Sequence, residues 1–154
     1  MTWGTTESGG NQLRATAQTF AALDGTSVEY GWTPESENYP NGDNVVERAA
    51  IHHFGTDRIP ARPILSINFE RNLDQLAVTA EALNDQIIAS ATNDLGPPLR
   101  VIGQFAVSNM VADFLRAQED MEPLAESTIT QKGFDTRLIE TNHMREQVRF
   151  RVNL

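Results

Sequence analysis

Phe69, Leu73, Leu76, Ala80, Leu83 and Ile87 follow one another at spacings of 4, 3, 4, 3 and 4 residues. Residues three and four apart share one face of a helix, so this is the apolar seam of a long one. The segment begins at Ile64 and has to stop before Gly96-Pro97-Pro98. Proline lacks the amide a helix needs, and the residue before it avoids helical geometry. A second stripe runs from Leu99 to Gln118. Ile102, Phe105, Ala106, Met110 and Phe114 form one face, and Val101, Val111 and Leu115 widen it. A stripe that broad predicts burial on two sides, in a core or between subunits.

The remaining elements are shorter. Asn11 is a plausible N-cap for a helix whose Leu13, Ala17, Phe20 and Ala21 share a face, with Asp24-Gly25 as its stop. Val28, Tyr30 and Trp32 alternate with Glu29 and Gly31 in a half-buried strand over 27–32. Residues 33–44 form a polar loop with a turn at Asn41-Gly42. Asp43 or Asn44 can cap a short helix with Val45, Val46, Ala49, Ala50 and His53 as its apolar positions, closed by Gly55. Residues 122–133 read as a turn-rich connector in which the Ser127 and Thr128 hydroxyls cap or form turns. Leu138-Ile139 is a short extended pair, and Thr141 can cap a short turn. Val148, Phe150 and Val152 alternate with Gln147, Arg149 and Arg151 in a last strand over 146–152. That strand can pair with the first. The expected fold is α+β: a small antiparallel sheet packed against two long helices, plus shorter N-terminal helices. Residues 1–10 are polar and Gly-rich and predict a flexible arm; 11–154 predict a single domain.

Composition removes several function classes. The chain has no cysteine, so disulfides, thiolate catalysis and thiolate metal sites are excluded. Its net charge is −9, with one lysine, Lys132, and eleven arginines spread along the chain. A nucleic-acid reader needs concentrated cations to neutralise phosphates, so this balance argues against one. No apolar run approaches the roughly 18 residues of a spanning helix. The start carries no basic-then-apolar pattern, so no secretion signal is expected.

One loop is stiffer than the rest. In Ile59-Pro60-Ala61-Arg62-Pro63 the two prolines hold Arg62 between fixed φ angles. Three separated stretches then combine. Tyr39-Pro40-Asn41-Gly42 comes first, followed by Phe54-Gly55-Thr56 with the Ile59–Pro63 loop. The third is Pro123-Leu124-Ala125-Glu126-Ser127-Thr128-Ile129-Thr130-Gln131-Lys132-Gly133, continued by Leu138-Ile139-Glu140-Thr141-Asn142-His143-Met144 and the last strand. In this order, over roughly 28–152, they resemble the tail-completion and neck proteins of tailed bacteriophages, a virion-morphogenesis, tail-terminator-like family. Asn142 stands where that pattern has glycine, and asparagine tolerates the left-handed turn better than other residues with a Cβ. Arg137 stands in place of a usual proline and Glu140 in place of aspartate.

The resemblance implies a non-enzymatic virion protein without a cofactor. It would form a hexameric ring between head connector and tail tube, be assembled in the host cytoplasm, and let DNA pass without binding it specifically. Tyr39, Arg58, Arg62, Lys132, Arg137 and His143 are its candidate assembly residues, with Trp3 as a contact from the arm. Arg62 has two readings: an intramolecular salt bridge that locks the loop, or an intersubunit contact through its planar guanidinium. Two other functions are weighed beside this one. One is a soluble assembly chaperone or binding module absent from the mature particle. The other is a metal-dependent hydrolase using His52, His53 and His143. Adjacent histidines on a helix point about 100° apart, which disfavours a shared metal.

Overall fold

Two stretches with period-2 apolar residues pair antiparallel: β1 (Ser27–Gly31) and β2 (Arg149–Asn153). Their register sets Val28 opposite Val152 and Tyr30 opposite Phe150. All four therefore share one face, because alternate side chains on a strand point the same way. The other face is polar: Arg151 Nη2 lies 3.0 Å from Glu29 Oε2, directly across the ladder.

The computed structural model describes residues 15, 17–19, 21–90, 92, 94–138 and 142–154. The arm with Trp3, together with Asn11, Leu13, Phe20, Ile139, Glu140 and Thr141, lies outside the described residues. Residues 15, 17–19 and 21–23 are helical and end in a turn at Asp24-Gly25. After β1 come α1 (Val45–Phe54), α2 (Ile64–Ser90), α3 (Gly96–Arg116), α4 (Glu126–Lys132) and α5 (His143–Glu146). The class is α+β, a two-stranded sheet against two long helices. Among the described residues no helix is long and apolar enough to cross a membrane.

The sheet lies on α3, and Gly103 permits the approach: a Cβ there would overlap the Phe150 ring. A glycine inside a helix costs about 1 kcal/mol relative to alanine, and here it admits an aromatic ring. The main core joins Val45, Ile64, Met110, Phe114, Met144 and Val148. Trp32 meets Phe114 edge-on at 6.1 Å and donates its indole N–H to the Met144 carbonyl at 2.7 Å. A smaller core joins Ile87, Leu95 and Leu99 to Val28 and Val152 of the sheet.

Local signals set most boundaries. Asn44 caps α1 by accepting from the amides of Val46 and Glu47. α3 starts three residues earlier than the stripe suggested, at Gly96. Pro97 and Pro98 sit in its first turn, where a missing amide loses no helical bond. Asn142 is left-handed at φ 61°, a conformation asparagine tolerates better than other residues with a Cβ.

Four expectations are corrected. At the start of α2 the apolar seam turns outward: Phe69 and Leu73 are 48% and 47% exposed while Asn68 and Asn72 are 1% and 7% exposed, whereas further along Leu76, Ala80 and Leu83 are half-buried and Ile87 is buried, as expected. The cause is Asp113 on α3, which is fully buried. A buried carboxylate needs donors, and the side-chain amides of Asn68 (2.8 Å) and Asn72 (2.9 Å) supply them. On α1, Val45 and Ala49 are buried but Val46 and Ala50, one position round the helix, are exposed. The connector turns helical at Glu126, and Gly133 at φ 80° closes α4. Thr128, Ile129 and Thr130 are β-branched and hid this helix. It begins at Ala125 with no side-chain cap, so Ser127 and Thr128 do not take the capping role. Finally, Leu138 is left-handed at φ 60° rather than extended. Gln118 shapes that turn by accepting the Arg137 amide at 2.7 Å.

Tyr30 connects sheet and helix by donating its hydroxyl to Asn68 Oδ1 at 3.0 Å. Burial raises the pKa of its phenol, and the Asp113 charge adds to this. In the unfolded chain the phenol ionises near its ordinary value of about 10, while the folded chain keeps the proton. Stability is thus intact below that pH and falls as pH rises above it. Urea midpoints measured from pH 8 to about 11 are expected to drop at the alkaline end. Tyr30→Phe should shrink that drop; an identical alkaline slope in the variant would refute the assignment.

Candidate functional site

The turn after α1 folds back on the helix that precedes it. Gly55, at φ 73° and ψ 179°, donates its amide to the Ile51 carbonyl. The Thr56 hydroxyl accepts from the amides of Arg58 (3.3 Å) and Ile59 (3.1 Å). The Arg62 amide then donates to the His52 carbonyl at 2.6 Å. The Pro-framed loop is thereby stitched to the last turn of α1, and a Cβ on Gly55 would lie 2.8 Å from both Ala61 N and Ile59 O.

This loop forms one wall of a cleft of about 610 Å³. The 39–42 loop and α1 contribute Tyr39, Arg48 and His52. Residues 122–132 contribute Glu122, Thr128 and Lys132, and the start of α5 contributes His143 and Met144. Arg58 and Arg62 come from the Pro-framed loop, and Ile59, Pro60, Pro123, Leu124 and Leu138 make the apolar walls. Five predicted residues therefore meet here: Tyr39, Arg58, Arg62, Lys132 and His143. Arg137 lies close enough for its charge to act on Arg62. Its Nη2 is 3.9 Å from Asp135, and its buried Nε has no hydrogen-bond partner among the described residues. Trp3 is outside the described residues.

The side chains are organised by one another. The Tyr39 and His143 rings lie 4.6 Å apart, and the Arg48 guanidinium sits 4.5 Å over the Tyr39 ring while pairing with Asp43. His143 Nε2 lies 2.9 Å from the Glu37 carbonyl, a bond in which the ring N–H donates. Lys132 Nζ donates to the Thr136 carbonyl at 3.0 Å and lies 4.8 Å over Phe134. Arg58 is exposed, and its guanidinium has no partner among the described residues.

Arg62 is 5% exposed. Its Nε and Nη2 donate to the carbonyls of Glu122 (3.3 Å) and Pro123 (3.4 Å). The lock expected inside the chain is made, with carbonyls in place of a carboxylate as acceptors. Burial lowers the guanidinium's pKa, the Glu122 charge opposes this, and Arg137 adds to it. Four cations, Arg48, Arg58, Arg62 and Lys132, thus line one cleft beside a single carboxylate, Glu122. In a chain of net charge −9, that concentration makes the cleft suited to an anionic group with apolar neighbours.

The adjacent histidines separate as helical geometry demands. His52 faces the cleft, whereas His53 faces a shallower groove of about 360 Å³ with Tyr30, Leu65, Ser66, Phe69 and Glu70. Among the described residues no three His, Asp or Glu side chains are placed to hold a metal. Arg48 was missed as a site residue, and His52 was weighed only as a metal ligand. Their i, i+4 spacing on one face of α1 was the available signal. No family model, curated protein or solved structure matches the chain.

Proposed function

We propose that this chain is a structural, non-enzymatic protein of a phage virion. It forms a hexameric ring at the neck that completes the tail, joins it to the head connector and lets DNA pass. One observation carries the reading. The stretches that resemble tail-completion proteins are far apart in sequence, yet each sends residues to one cleft: Tyr39 from the first, Ile59, Pro60 and Arg62 from the second, and Pro123, Thr128, Lys132 and His143 from the third. Residues kept in common for a shared contact would be expected to share a surface. A closed ring needs only such repeated contacts between copies. The excess of carboxylates elsewhere on the chain would repel DNA and let it slide through a lumen.

The test joins native mass spectrometry of the purified protein with mass spectrometry of mature particles. The expected result is a closed oligomer and presence in the particle. A chain that stays monomeric at high concentration and is missing from particles would sink the proposal. A second reading, a soluble binding module or assembly chaperone, draws on the cleft itself. Its volume lies within the roughly 300–1,000 Å³ of ligand pockets. Absence from mature particles, with retained binding to a single assembly partner, would favour that reading.

A further inference from the structure

α1 separates two surfaces of opposite character. His52 looks into the cationic cleft, and His53, about 100° round the helix, looks into the groove that begins at Phe69 and Glu70 on α2. Beyond that groove the exposed residues of α2 include four carboxylates, Glu70, Asp74, Glu81 and Asp85. None of them is in an ion pair among the described residues. The one cation of the helix, Arg71, is engaged by Asp113 and Asp120. Beside the carboxylates Phe69, Leu73 and Val78 stand exposed, Val78 by 64%. The polar network around Asp113 turned Asn68 and Asn72 inward, and that rotation leaves Phe69 and Leu73 outside. An acidic, apolar face thus lies on one side of α1, and a cationic, apolar-walled cleft on the other.

Both features suit the same kind of occupant. An apolar stripe of this sort on a helix marks a contact surface. Opposite potentials bring the right partners together and reject wrong ones. The two surfaces differ, so they cannot meet through a two-fold axis on equal terms. They can meet head to tail, and a head-to-tail contact closes into a ring when its rotation closes.

We propose that the cationic cleft of one copy receives the acidic face of α2 from the next copy. The carboxylates of Glu70, Asp74, Glu81 and Asp85 answer Arg58 and Lys132, and the exposed apolar residues of α2 meet the Pro60, Pro123 and Leu124 walls. This rests on the ring reading above and names the contact that builds the ring. Salt weakens it, because the charges at its rim are screened.

Lys132 is the chain's only lysine, which makes the test specific. A carbodiimide joins an amine directly to a carboxylate in contact with it. Treatment of the full-length protein, followed by peptide mapping, is expected to link Lys132 of one copy to an α2 carboxylate of another. Mixing isotope-labelled and unlabelled protein identifies links between copies. Lys132→Arg should abolish the link, which shows that it forms at this amine. Arg58→Glu should weaken self-association by about tenfold or more, with an unchanged circular dichroism spectrum, since Arg58 is exposed and unpartnered. Asp74→Lys, on the other surface, should weaken it likewise, so the result does not hang on one variant folding. Rings that form while Lys132 links to no α2 carboxylate, with both charge reversals assembling like the parent, would overturn this contact and leave the ring reading intact. A chain that does not self-associate at all would overturn both.

Discussion

Asp113→Ala is expected to destabilise the folded chain by about 3–5 kcal/mol, the usual loss when one partner of a buried charged network is removed. Asp113 is fully buried on α3. Its Oδ2 accepts from the side-chain amides of Asn68 and Asn72, and Oδ1 lies 3.2 Å from Arg71 Nη1. Tyr30 joins the same network through Asn68. Truncation leaves two buried amide groups without their acceptor, and such groups lost water on folding. Domains of this size hold roughly 5–15 kcal/mol in total, so the loss is a large share of the whole. Urea denaturation of parent and variant measures the difference. A change below about 1 kcal/mol would mean that the network does not hold α2 against α3. A quadruple variant, Asp113→Leu with Asn68→Leu, Asn72→Leu and Tyr30→Phe, should recover much of the loss, because apolar replacement of a buried polar set is often nearly neutral; Arg71 keeps Asp120. Its recovery would separate loss of charge from loss of packing.

Gly55→Ala should cost roughly 3 kcal/mol or more, from two effects that add. At φ 73° and ψ 179° the backbone sits in a region that side chains with a Cβ rarely enter. A Cβ would also lie 2.8 Å from Ala61 N and Ile59 O, backbone atoms that cannot turn aside. The Pro-framed loop would have to lift off α1, breaking the bond from the Arg62 amide to His52 and loosening the cleft wall. Gly42→Ala is the control. Gly42 has φ 91° but nothing within 4 Å of an added Cβ, so only the conformational cost of about 1–2 kcal/mol applies. Thermal unfolding of both variants distinguishes the effects. Equal shifts would show that the closeness of the Pro-framed loop to Gly55 carries no energetic weight.

Legibility followed the range of the interactions. β1 and the ends of α1 were readable because alternation, the Asn44 cap and the Gly55 stop act over a few residues; the same alternation found β2, which starts at Arg149 and not at residue 146, because α5 runs through Glu146. The pairing of the strands followed from their matching periods. α4 was not readable, since Thr128-Ile129-Thr130 favours extended structure locally and only the Gly133 stop argued otherwise. The site was half legible. The stretches that carry Tyr39, Arg58, Arg62, Lys132 and His143 could be picked out by resemblance, but no spacing in the chain says that they meet. Arg48 was overlooked because α1 was read for its apolar face, and His52 was weighed only as a metal ligand.

The sequence alone determined where most helices and strands form, α4 excepted, because caps, prolines, glycines and hydrophobic period are properties of neighbouring residues. Tertiary structure decided which face of α2 turns inward. The seam of Phe69 and Leu73 pointed one way, and the desolvation of Asp113 on another helix pulled Asn68 and Asn72 in instead. That choice left an acidic, apolar face exposed. In the same way, closure of three distant loops gathered four cations of an acidic chain into one cleft. Both results depend on charges brought together from distant positions, and their energies do not exist until the chain has folded.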